Sequence, residues 1–171
     1  MRTLAGLIVF MLLTMTCAHA QSNTKDPEVL RGLKGLRLTV YFGRAPAMEA
    51  EQRSVVQKML QAEAEAKFTK AGIPLLKFTQ ETEKEPGSPH FVVTLTLDKP
   101  NGYVFPVVSD ARLFQKVRLS RDPSVEVSVS TWETHGVGVY NIKDLDMLRL
   151  QVNQAVDEFI KYYQTVNPDP R

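Results

Sequence analysis

The stretch FVVTLTLDKPNGYVFPVVSDARLFQKVRLSRDPSVEVSVSTW, residues 91–132, decides the fold. Phe91, Val93, Leu95 and Leu97 alternate with Val92, Thr94 and Thr96, and a period of two marks a strand with one buried face. Lys99-Pro100-Asn101-Gly102 is a turn signal. A long strand is predicted over 103–120, with Pro106 implying a bulge or an edge position near its start. Arg121-Asp122-Pro123-Ser124 turns the chain again. Val125, Val127 and Val129 then alternate with Glu126, Ser128 and Ser130 up to Trp132. Three consecutive strands joined by tight turns predict an antiparallel meander.

Upstream, Leu36, Leu38, Val40 and Phe42 alternate with Arg37, Thr39 and Tyr41 and predict a further strand. Residues 51–71 predict a helix with two adjacent stripes, Val55/Met59/Ala62/Ala66 and Val56/Leu60/Ala64/Phe68. Glu49 and Glu51 at its start and Lys67 and Lys70 at its end suit the helix dipole, and Gly72 is its expected C-terminal cap. Residues 75–79 predict a short strand, and 81–89 a polar turn. Residues 135–140 (HGVGVY) read as a glycine-containing loop, and Asn141 with Asp144 as the cap of a last helix. Its apolar stripe is Leu145, Leu148, Val152, Val156, Phe159, Ile160 and Tyr163, and Asn167-Pro168 ends it. The order is β-α-β-β-β-β-α. Each helix needs one sheet face to bury its stripe, so the expected class is α+β: a two-layer sandwich, mostly antiparallel sheet with two helices on one face.

The 171 residues are 43% hydrophobic and 23% charged, values that suit one globular domain. A net charge of +2 argues against a dedicated nucleic-acid binder, and a single cysteine excludes a disulfide scaffold. Residues 1–20 read as a signal peptide: Arg2, an apolar run from Leu4 to Leu13, and Ala18-His19-Ala20 as the cleavage site. The apolar run falls short of the ~20 residues of a membrane-spanning helix. Cys17 is the alternative start, as the acylated residue of a lipoprotein. Such sites want a small residue just before the cysteine and a Leu-like one three before it, where Thr16 and Thr14 stand. Cleavage after Ala20 is therefore preferred, and the protein is expected in the periplasm or secreted. Residues 21–34 read as a flexible lead-in, 35–167 as the single domain and 168–171 as a tail.

The strings LRGLKGLRLTV, AGIPLL, PHFVVTLTL, LFQKVRLSR, STWET and VDEFIKYYQTVNP together resemble a group of small exported bacterial proteins of unassigned function. The layout is similar, at the level of fold only, to the amino-terminal domain of TolB and to LptE-type envelope proteins. Likeness of architecture transfers no activity.

No reactive constellation stands out. There is no G-x-S-x-G elbow, and after residue 20 no thiol. Ser88 and His90 have no evident third partner. Gly136-Val137-Gly138 lacks the third glycine of a dinucleotide fingerprint. His90 and His135 are far apart, and Glu133 with His135 needs a carboxylate such as Asp144 or Asp146 to make a metal site. No catalytic residue, metal or cofactor is assigned.

The second face of the sheet draws more attention. Parity puts Arg37, Tyr41, Val92, Thr94, Thr96, Arg112, Phe114, Lys116, Arg118, Ser128, Ser130 and Trp132 on it, with Asp110 and Glu126 as its acids. Tyr, Trp, Phe and Arg are enriched in binding hot spots. The expected partner-binding surface is Tyr41, Arg112, Phe114, Lys116, Arg118 and Trp132, and the expected function is a non-enzymatic exported domain that binds a macromolecular partner in the cell envelope. An envelope protein or a second copy is the expected partner. The alternative is a small-ligand carrier or enzyme with its site in a loop at 133–144.

Overall fold

A computed structural model describes residues 26–46, 48–84, 87–99, 104–141 and 145–168. The signal peptide with Cys17, the Pro100–Gly102 part of one turn, Asp144, and residues 169–171 of the tail lie outside the described residues. Among those described, four strands form one sheet: β1 (Arg37–Arg44), β2 (His90–Leu97), β3 (Val104–Leu119) and β4 (Asp122–Asn141), in that spatial order. Helix α1 (Ala50–Lys70) connects β1 to β2, which are parallel. Strands β2, β3 and β4 form the antiparallel meander. Helix α2 (Asp146–Val166) follows, and both helices pack on the strands. The α+β class and the mostly antiparallel sheet are as the alternation implied.

The short strand expected at 75–79 shrinks to one parallel bridge, Leu36 with Leu75. The Leu36 N–H donates to the Pro74 carbonyl at 3.0 Å, and the Leu76 N–H to the Leu36 carbonyl at 2.9 Å. Beyond it the Thr82 hydroxyl donates to the carbonyls of Lys77 and Thr79 at 2.5 and 3.0 Å, a local arrangement that competes with a strand ladder.

Helix α1 buries one stripe, Val56, Leu60, Ala64 and Phe68, whereas Val55 is 64% exposed and Ala62 and Ala66 face solvent. Its end is a Schellman motif: Ile73 N–H donates to the Phe68 carbonyl and Gly72 N–H to that of Thr69, both at 3.0 Å. Gly72 takes φ +75°, which a residue with a Cβ adopts at a cost. Helix α2 buries Leu148, Val152, Val156, Phe159 and Tyr163 as predicted. Its N-cap position is Leu145, with no side-chain cap; Asn141 is the last residue of β4, too far upstream to cap it.

Two boundaries move. The lead-in is part of the fold from Asp26 onward, because a 3-10 turn at Pro27–Leu30 carries the fully buried Leu30. Asn167 fastens it, accepting from Gly32 N–H at 2.8 Å and donating to the Leu30 carbonyl at 2.9 Å. The expected loop at 135–140 is strand: β4 runs unbroken to Asn141. Its glycines make room on the helix side. A Cβ at Gly136 would collide with Gln151 and Ser109, and one at Gly138 with the Tyr140 ring.

One irregularity decides which residues face which way. Leu113 pairs with Trp132, but Phe114 pairs with Ser130, leaving Thr131 as an extra residue. Such a bulge inverts the parity of everything after it. Trp132 therefore turns inward and is fully buried, with ring contacts to Phe91 and Phe159 at 5.8 and 5.1 Å. Its expected place on the outer face is corrected accordingly.

Candidate binding surface

The register assembles the outer face in rows across the four strands. Arg37, His90, Phe114 and Ser130 form one row. Thr39, Val92, Arg112 and Glu133 form the next, and Tyr41, Thr94, Asp110 and His135 the third. Toward the β3–β4 hairpin, Lys116 pairs with Ser128 and Arg118 with Glu126. Tyr41, Arg112, Phe114, Lys116 and Arg118 thus share the face that parity assigned them.

The face is charge-balanced, which parity alone did not reveal. The bulge brings Glu133 and His135 outward. The Arg112 guanidinium bridges Asp110 (Nη2–Oδ2 2.7 Å, Nε–Oδ1 2.9 Å) and stands 3.7 Å from Glu133. His135 lies 3.4 Å from Asp110 and 3.8 Å from Glu133. Arg118 meets Glu126 at 3.0 Å, and Lys116 Nζ donates to the Glu83 carbonyl at 3.3 Å. The carboxylate that His135 meets besides Glu133 is Asp110. With Arg112 already supplying the positive charge there, a metal ion gains little. Among the described residues no group of three or more His, Cys, Asp or Glu is placed to hold one. Beyond this cluster the face turns apolar: Val104, Val108, Val137 and Val139 are exposed, Val137 by 76%.

At the opposite corner Arg37 is 92% buried, a burial its parity did not suggest. Its Nη2 donates to the carbonyl and Oγ of Ser88 at 3.2 and 3.1 Å, and the Phe78 ring lies 5.0 Å from the guanidinium. Phe78 also stands edge-on to His90 at 5.1 Å, and His90 Nε2 meets Thr39 Oγ1 at 2.9 Å. Burial, and then the Arg37 charge, hold the His90 imidazole below its ordinary value of 6.5. Protonation is thus opposed in the folded state. The penalty is absent above pH 6.5, grows as pH falls below it, and levels off below the folded-state value. The melting temperature should therefore fall on acidification from pH 7.5 to 5, and His90→Gln should shrink that fall. An equal fall in the variant would contradict this assignment.

On the helix side, Ser109, Thr134, Gly136, Gln151, Gln154 and Glu158 line a pocket of about 260 Å³, open on one side. Ser109 Oγ donates to Gln151 Oε1 at 2.6 Å, Gln151 Nε2 donates to the Tyr140 hydroxyl, and Thr134 Oγ1 donates to Glu158 Oε2 at 2.7 Å. Within the 133–144 span of the alternative site, residues 134–136 line this pocket, as strand and not as loop. Residues 142–144 lie outside the described residues. Sequence reasoning missed Gln151 and Glu158. The available signal was Gln151, a polar residue at helical spacing beside Leu148, Val152 and Ala155.

No family model matches the chain, and no curated protein matches it either.

Proposed function

We propose that the chain is an exported, non-enzymatic binding module that docks a macromolecular partner of the cell envelope on the outer face of its sheet. The observation that carries this reading is a sheet face that, among the described residues, neither helix covers. Both helices lie on the other side, and Tyr41 of β1 and Arg112 and Phe114 of β3 share this face with the exposed valines. Internal pairing of the charges suits a surface that is to be desolvated, since a buried charge left without a partner is costly. Among the described residues no helix is long and apolar enough to cross a membrane. The alternative, a carrier of a drug-sized ligand, fits less well, because a pocket of about 260 Å³ lies below the roughly 300–1,000 Å³ of such sites.

Copurification of the Tyr41→Ala/Phe114→Ala double variant from envelope extract tests the face. The expected result is loss of the partner retained by the parent protein, with less than about 1 kcal/mol lost in stability, the usual range for surface changes. Full retention of the partner would overturn the reading. Export has its own test: the amino terminus of the exported protein should read Gln21-Ser22. An acylated terminus at Cys17 would instead make the protein a lipoprotein.

A further inference from the structure

We propose that the corner where Arg37 of β1 meets Ser88 and Phe78 is a carboxylate-binding site. Its ligand carries an apolar group beside the carboxylate, and a carboxylate oxygen accepts from the Arg37 guanidinium. The proposal does not rest on the docking of a macromolecule, because small acids alone test it.

The guanidinium lacks a counter-ion. Arg37 is more than nine-tenths buried, and arginine keeps its charge inside proteins. Among the described residues no carboxylate pairs with it, whereas Arg112 has Asp110 and Arg118 has Glu126. Its Nη2 is engaged with the carbonyl and Oγ of Ser88. Among the described residues Nε is closed off from solvent without an acceptor. Nη1 likewise has no acceptor there but is open to solvent, so it is the donor that an incoming group meets. A buried charge without a partner is costly, and an acid supplied from outside removes that cost.

The surroundings hold this side chain in place. Ser88 takes φ +40°, the one positive φ outside glycine among the described residues. Such strain persists only where the surroundings enforce it, and it clusters at binding sites. Here it accompanies a carbonyl and a hydroxyl that both meet one guanidinium nitrogen. The Phe78 ring lies 5.0 Å from the guanidinium and is exposed, so it offers apolar surface beside the charge.

Charge selects the ligand. The His90 imidazole is held below its ordinary value, so near pH 7 the buried charge of the corner is one guanidinium. A carboxylate brings one negative charge and matches it. A phosphate monoester brings about 1.5 to 2 and leaves the excess uncompensated. An apolar group next to the carboxylate meets Phe78.

The test titrates the purified protein with phenylpropionate and with acetyl-Val-Phe ending in a free carboxylate, each against its carboxamide, and follows amide NMR signals. Signals of residues 37–39, 78 and 88–90 should move. Each acid should bind at least about tenfold more tightly than its amide. Inorganic phosphate should bind more weakly than either acid. The tighter of the two acids names the source, a free organic acid or a peptide terminus. Arg37→Gln should abolish the preference for acid over amide. Arg44→Gln, at the exposed end of the same strand, should leave it intact. No binding, equal binding of acid and amide, phosphate binding tighter than both acids, shifts confined to other residues, or an equal loss in Arg44→Gln would overturn the proposal. So would acid binding seen only in Glu85→Gln, which would show that the chain's own carboxylate fills the corner. If Arg37→Gln does not fold, Ser88→Gly decides. It suits a positive φ and removes one acceptor that fixes the guanidinium, and it should weaken the preference severalfold. An unchanged preference in that variant would overturn the proposal.

Discussion

Trp132→Ala should cost about 3–5 kcal/mol, the range for removing a large aromatic side chain from a core. Trp132 is fully buried at the junction of the meander and α2, where Phe91, Phe159 and Phe68 form a chain of edge-on and tilted contacts between 4.6 and 5.7 Å. Typical stability totals about 5–15 kcal/mol, so the loss is a large fraction of it. Trp132→Phe should cost much less. Among the described residues the indole N–H has no hydrogen-bond partner, so its deletion removes a buried unsatisfied donor along with some volume. Urea unfolding of both variants checks this. A loss below about 1 kcal/mol for the alanine variant would mean the ring lies outside the core.

Leu60→Ala should cost about 2–5 kcal/mol. Leu60 is 1% exposed on the buried stripe of α1, and its removal leaves a cavity whose walls relax only in part. Val55→Ala, five residues earlier and 64% exposed, should shift stability by less than about 0.5 kcal/mol. Comparable losses at the two positions would place the wrong face of α1 against the sheet.

Parity carried the sequence a long way. The run from Phe91 to Leu97 needs no tertiary knowledge, because every second residue is large and apolar. The stripe Val56, Leu60, Ala64 and Phe68 was equally plain. Its neighbour misleads because Ala62 and Ala66 look apolar but lose little by facing water. One extra residue, Thr131, turns Trp132 from the outer face to the core. No Gly or Pro marks that bulge, and Thr131 is held there by a 2.6 Å bond from its hydroxyl to Gln115 Oε1, which local pattern does not disclose. The same slip hides Glu133 from the outer face, although parity already places Asp110, the nearer partner of Arg112, there. Two glycines make residues 135–140 read as a loop. Their period of two was present, but the reason for glycine lies on α2 and in the Tyr140 ring. The five outer-face residues other than Trp132 were legible because they precede the bulge or sit on strands without one.

The docking face is tested most directly by site-specific photo-crosslinking in the native envelope. A photoreactive residue at Tyr41 on the outer face is compared with one at Val55 on the exposed side of α1. The same discrete adduct should form in high yield from position 41, should be absent from position 55, and should persist when purified protein is added back to envelope extract. Adducts from position 55 and none from position 41 would put the partner on the helices and contradict the account.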